Sequence, residues 1–175
     1  MALRIIKGDL DNPAIIDLLK FHMDTNVAVT PPGSVHALDL EALKTPDIAF
    51  FAGWEDDTLL VIGAVKDMAP QPVHDSPTGS PQDSPHGDLH GDLHGEIKSM
   101  RTVEAQRGRG IGAAMLDHLV AYAQSRGMTR LWLETGAFDY FAPARKLYQR
   151  RGFTFCEPFA DYTLDPNSVF MTRAL

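Results

Sequence analysis

The residues best suited to chemistry lie in one segment, 101–112, which reads RTVEAQRGRGIG. Gly108, Gly110 and Gly112 fall within five residues, so the backbone there can approach a ligand closely. An amphipathic stretch comes next, and a helix starting at these glycines would present unpaired N–H groups and the positive end of its dipole. That combination suits a phosphate. Lys98, Arg101, Arg107 and Arg109 against Glu104 leave residues 98–112 at +3, inside a chain whose net charge is −7. A plain strand-to-helix turn with solvated arginines is the bland alternative.

Two phosphate-binding patterns fit these glycines. Gly108, Gly110 and Ala113 satisfy G-x-G-x-x-G/A, with Glu134 at the end of the next strand where a ribose-binding acid would sit. That fold needs its first glycine directly after an apolar strand, whereas polar residues 103–107 intervene and only about 60 residues remain beyond the glycines. The second pattern, Arg/Gln-x-x-Gly-x-Gly/Ala, is met by Arg107, Gly110 and Gly112. A further signature, Ala144-Arg145-Lys146-Leu147-Tyr148 and then Gly152-Phe153, has the form A-x-x-L-Y-x-x-x-G-F. With both motifs the chain resembles the GNAT superfamily of acyl-CoA-dependent N-acetyltransferases, closely over 96–153 and in element order over nearly all of the chain.

The resemblance implies an α/β fold: a mixed central sheet whose fourth and fifth strands splay apart, flanked by about four helices. It implies an acyltransferase that moves an acetyl group from acetyl-CoA to a primary amine of a small acceptor. By the same resemblance the amides of Gln106, Arg107, Gly108, Arg109, Gly110, Ile111 and Gly112 hold the pyrophosphate. Those near Met100 and Thr102 pair with the pantetheine. Tyr148 matches the tyrosine that protonates the departing thiolate, and Glu96 stands where some members carry a general-base glutamate. One position departs: Phe141 occupies a place where many members have Asn. A non-enzymatic acyl-CoA-binding module remains the alternative from another class.

The elements that must position these residues can be read from patterning. Residues 2–7 read as a strand, 13–22 as a helix opened by Asp11-Asn12-Pro13, and 35–43 as a second short helix. Segments 47–54 and 58–66 read as a hairpin, and 96–103 as a strand. A helix to residue 126 buries Ile111, Met115, Leu116, Leu119, Val120 and Ala123 on one face. Strand 130–135, helix 141–151 and strands 153–157 and 169–175 complete the series. Residues 67–93 hold five of the twelve prolines with many Ser, Asp, Gly and His, a composition predicting a mobile insert in one domain spanning 1–175.

His86 and His90 in that insert and His94 just beyond it recur every fourth residue, but glycine after each disfavours a helix; only the third copy, His94-Gly95-Glu96-Ile97, is expected inside the fold, and no metal site is expected. Cys156 reads as a small core residue and not an acyl nucleophile; one cysteine forms no internal disulfide and suits a reducing cytoplasm. His118 reads as surface, His36 as facing an acceptor pocket, and the polar loop 161–168 as a weak candidate for closing that side. The acidic balance excludes nucleic-acid binding through the whole surface, and no apolar run approaches a membrane span. A homodimer is left open.

Overall fold

The structure, a computed structural model, describes residues 2–71 and 93–175. Apolar residues alternating along the chain pair into a seven-stranded sheet: β1 (Arg4–Lys7), β2 (Ile48–Glu55), β3 (Thr58–Met68), β4 (Leu93–Thr102), β5 (Met128–Gly136), β6 (Thr154–Cys156) and β7 (Ser168–Ala174). Their order is β1-β2-β3-β4-β5-β7-β6, and every pairing is antiparallel except β4 with β5. The sheet is mixed, as expected.

Four α-helices flank it among the described residues: α1 (Pro13–Val29), α2 (Leu40–Leu43), α3 (Ile111–Ser125) and α4 (Ala142–Arg150). Period-two alternation in the strands feeds two cores. Phe51, Val61 and Val65 turn to α3, whose Met115, Leu116, Leu119 and Ala123 are buried against them. Phe50, Ala52, Ile62 and Ala64 turn to the other face, under Ile15, Leu18 and Leu19 of α1 and Leu43 of α2. Burying one such aliphatic side chain is worth about 1.5–3 kcal/mol, so these two layers hold the sheet rigid beneath the site.

Helix α1 starts as the sequence predicts, with the Asn12 side chain accepting from the Ala14 N–H at 3.0 Å and Pro13 in the first turn. It runs past the expected end at His22 to Val29. Helix α2 is shorter than expected, beginning only at Leu40, where Asp39 caps it by accepting from the Ala42 N–H. The insert expected over 67–93 needs correction at both ends. Asp67 and Met68 pair with Gly95 and His94 in the β3–β4 ladder, and Leu93 opens β4 beside Met128. Asp67 is further held by Arg126 at 3.1 Å. His86 and His90 lie outside the described residues. His94 is buried, its Nδ1 accepting from Trp132 Nε1 at 3.1 Å and the Gln71 N–H at 3.0 Å. Among the described residues no helix is long and apolar enough to cross a membrane.

Candidate active site

Strands β4 and β5 run side by side only from Leu93–Met128 to Ile97–Leu133. Beyond that, β4 continues along β3 to Thr102 while β5 stays with β7 to Gly136, and the two part. A backbone irregularity sits at the parting. Ser99 has φ +53, and neither Ser99 nor Met100 has a register partner on β3 or β5. The extra residue also reverses the facing of the side chains beyond it. Lys98 pairs with Ala64 and Arg101 with Ile62, so side chains three apart emerge on the same face, toward α1.

The gap opens a cavity of about 550 Å³. One end is the glycine loop. Gly108 and Gly110 have φ +80 and +78, and a Cβ at either would meet nothing within 4 Å, so it is the backbone conformation and not crowding that calls for glycine. Gly110 opens α3 without a side-chain cap, and the first helical hydrogen bond runs from the Ala114 N–H to the Gly110 carbonyl. The amides of Ile111, Gly112 and Ala113 therefore have no helical partner, the arrangement that suits an anion. Gly112 is needed for closeness: a Cβ there would lie 3.1 Å from Thr102 Oγ1.

Of the expected site residues, Met100, Thr102, Gln106, Arg107, Gly108, Gly110, Ile111, Gly112 and Tyr148 line this cavity. Arg109 and Glu96 do not. The Arg109 guanidinium is held by Glu55, at 3.2 Å to both carboxylate oxygens, and by Gln106. Glu96 is buried and accepts from Lys98 Nζ at 3.1 Å and from the Tyr162 hydroxyl at 2.6 Å. Its register opposite Lys66 and Trp132 puts it before the strands part.

The carboxylate that does line the cavity is Glu134 on β5, for which sequence alone suggested only a ribose-binding role. Burial raises its pKa above the usual carboxylate value; Ser168, His36 and Lys98 oppose that rise and the Glu96 charge adds to it. Tyr148 is buried in the wall, edge-on to Phe153, and burial together with Glu134 pushes its phenol well above the ordinary value. Phe141, at the departure from the common motif, packs its ring where a Cβ on Gly136 would have stood 2.2 Å from it. No polar side chain from this position reaches the gap.

Opposite the glycine loop, the wall consists of His22, Asn26 and Thr30 of α1 and its end, with Ser34 and His36 after it. His36 is where sequence placed it, facing the pocket, with its ring edge-on to Tyr162. Loop 161–168 contributes Tyr162, which ties Glu96, Lys98 and His36 together. His22 and Tyr140 were not expected here; Arg101 was expected only among the charges of the phosphate-suited segment, and Glu134 only as a ribose-binding acid. His118, expected on the surface, is packed edge-on against Phe51 with its pKa lowered by burial. Burial raises the Cys156 thiol to about 11, and it lies away from the cavity. Among the described residues no group of three or more His, Cys, Asp or Glu is arranged to hold a metal ion.

Comparisons with known proteins agree with this geometry. The "Acetyltransferase (GNAT) family" model matches residues 15–153. An uncharacterized N-acetyltransferase of Bacillus subtilis, YsnE, is 41% identical over 167 residues, covering 95% of this chain and 96% of that one. Another of Escherichia coli, YedL, is 38% identical over 167 residues, covering 95% and 91%. An acetyltransferase structure from Streptococcus agalactiae superposes with a TM-score of 0.65 at 15% identity, covering 99% of this chain and 98% of that one. The parted strands, the uncapped glycine loop and these matches have one conclusion: the chain belongs to the GNAT family and is an acetyltransferase.

Proposed function

We propose that the protein transfers an acetyl group from acetyl-CoA to a primary amine of a small acceptor, by direct attack within a ternary complex. The observation that carries this is the continuity of one cavity from the uncapped amides of the glycine loop, past the stretch of β4 without register partners, to a half-buried carboxylate and a buried phenol. The amides from Gly108 to Gly112 take the pyrophosphate, since those of Gln106 and Arg107 already donate to the Val103 and Glu104 carbonyls; the Arg107 side chain adds positive charge, and the β4 backbone at Met100 and Thr102 lies along the pantetheine.

An ammonium ion cannot attack a thioester, so the site must first take its proton. We assign that task to Glu134, which faces the cavity, and give Glu96 the task of holding Lys98 and Tyr162 in place. The amide at Met100, where β4 has no register partner on β3 or β5, would face the carbonyl oxygen as it gains charge. The phenol of Tyr148, kept protonated by its raised pKa, gives its proton to the leaving thiolate. Holding amine and thioester in contact supplies much of the acceleration in addition.

Calorimetry tests the cofactor assignment. Acetyl-CoA should bind saturably to wild type, and Gly110→Glu should abolish binding by setting a carboxylate against the pyrophosphate. Gly110→Ala is the control: it bears the left-handed backbone cost, about 1–2 kcal/mol, without the charge. NADH binding in place of acetyl-CoA would overturn the assignment in favour of a dinucleotide site.

A further inference from the structure

The α1 wall of the cavity holds two buried N–H groups with no acceptor. Arg101 is 6% exposed; its Nη1 donates to the Tyr140 hydroxyl at 2.9 Å, and its Nη2 reaches Glu104 at 3.3 Å and Thr25 Oγ1 at 3.4 Å. Its Nε has no hydrogen-bond partner. His22 is similar. The Asn26 side-chain amide lies 3.2 Å from Nε2, which therefore accepts and leaves the ring proton on Nδ1, and Nδ1 has no partner either. Orphaned buried donors are rare in folded proteins, and each asks for an acceptor. Both residues line the cavity.

Charge points the same way. Arg101 and Arg107 both reach the same Glu104 oxygen at 3.3 Å, so two guanidiniums share one carboxylate. Arg107 belongs to the glycine loop and the pyrophosphate, so Arg101 on the α1 wall has as counter-ion only a shared, half-exposed carboxylate. Lys98, by contrast, is matched by Glu96 at 3.1 Å. The rings of Phe21 and Tyr140 flank the Arg101 guanidinium, with centroids 4.8 Å and 5.9 Å away, and hold its plane fixed. A fixed planar guanidinium with a spare donor suits a carboxylate better than it suits a neutral oxygen.

We infer that the acceptor carries a carboxylate as well as its amine: the carboxylate meets Arg101 and His22 on the α1 wall, and the amine lies toward Glu134 and the thioester. This rests on the N-acetyltransferase reading above and names the substrate class for that site. Amino acids and related amino-carboxylates have the required two ends.

The test compares each of three amino acids, L-phenylalanine, L-tryptophan and L-leucine, with its carboxamide and its decarboxylated amine, reading thiol release from acetyl-CoA. The carboxamide has a less basic amine than the acid and the decarboxylated compound a more basic one, so basicity cannot produce a preference over both. We expect kcat/KM for at least one acid to exceed both neutral partners by about tenfold or more, as charge-assisted hydrogen bonds allow. Arg101→Gln should collapse that ratio through the acceptor's KM, with the KM for acetyl-CoA unmoved; Arg101→Lys should restore part of it. The wild-type ratios decide the matter even if the glutamine variant fails to fold. Neutral partners used equally or better, or acetyl-CoA bound with no acid acetylated, would overturn the inference. A rise in the KM for acetyl-CoA with Arg101→Gln, equal to that for the acid, would assign Arg101 to the cofactor's phosphates instead. Failure to bind acetyl-CoA at all would sink the acetyltransferase reading itself.

Discussion

The Tyr162 hydroxyl donates to the Glu96 carboxylate at 2.6 Å, and Lys98 reaches the same oxygen at 3.1 Å. The bond spans 66 positions of sequence and turns Glu96 into the centre of a buried polar cluster behind the cavity. Glu134 is left as the carboxylate in the wall.

Substitution of the two glutamates should therefore give different pH profiles. If Glu134 takes the proton, kcat/KM rises with pH as its carboxylate ionises, above the usual carboxylate range because burial raises its pKa. Glu134→Gln should erase that limb and slow the reaction by roughly 100- to 10,000-fold. Glu96→Gln removes a neighbouring negative charge that helps raise the Glu134 pKa, so its limb should persist and move to lower pH. Stability adds an independent sign. A carboxylate with a raised folded-state pKa gives up stability as pH rises through that pKa, so Glu134→Gln should gain melting temperature over wild type on going from acid to neutral pH. If instead Glu96→Gln erased the limb and Glu134→Gln kept it, the base would be Glu96.

Tyr148→Phe should keep acetyl-CoA affinity, because the ring retains its edge contact with Phe153. The turnover number should fall by roughly 10- to 1000-fold, below the roughly 100- to 10,000-fold usual for a general acid. A thiolate is already a fair leaving group, so residual activity is expected. An unchanged turnover number, measured under saturating acetyl-CoA, would remove the phenol from the mechanism.

His22 makes the fold acid-sensitive in a definite window. Burial first, then Arg101 and Lys98, push its pKa from 6.5 down to about 4. A depressed pKa contributes stability above pH 6.5 that is lost as pH falls toward 4, worth up to about 3 kcal/mol at 1.36 kcal/mol for each pH unit of that gap. Urea denaturation at pH 7 and pH 4 should show a smaller drop for His22→Gln than for wild type. Equal drops would mean that the imidazole is protonated without cost.

Much of this site could be read from sequence because its parts are local. The glycine loop is one short segment, α3 carries its apolar face at helical spacing, and Tyr148 sits in a motif of adjacent residues. The rest depended on tertiary contacts. Helix α1 was expected to end near His22 because its apolar periodicity stops there; the inner face continues with His22 and buried Asn26, polar because it faces the cavity and not the core. The Ser99 irregularity gives no sequence signal, since serine is not a residue that marks a positive φ, yet it decides that Lys98 and Arg101 share a face. Glu134 is a lone carboxylate at the end of a strand, and only the parting of β4 from β5 exposes it to a ligand. Tyr162 lay in a loop flagged only for its polarity, and its role at Glu96 is visible only once β4 and that loop are brought together.

Whether the cavity between β4 and β5 carries out acetyl transfer to an amine is decided by incubating the protein with acetyl-CoA and a broad set of primary amines, while tracking free thiol and identifying products by mass spectrometry. Thiol should be released in step with one N-acetylated product, and the release should be lost in Gly110→Glu and strongly slowed in Glu134→Gln. Saturable acetyl-CoA binding with no thiol released above the protein-free rate for any amine would contradict acetyl transfer, and would make the cavity a site that holds the acyl-CoA without using it.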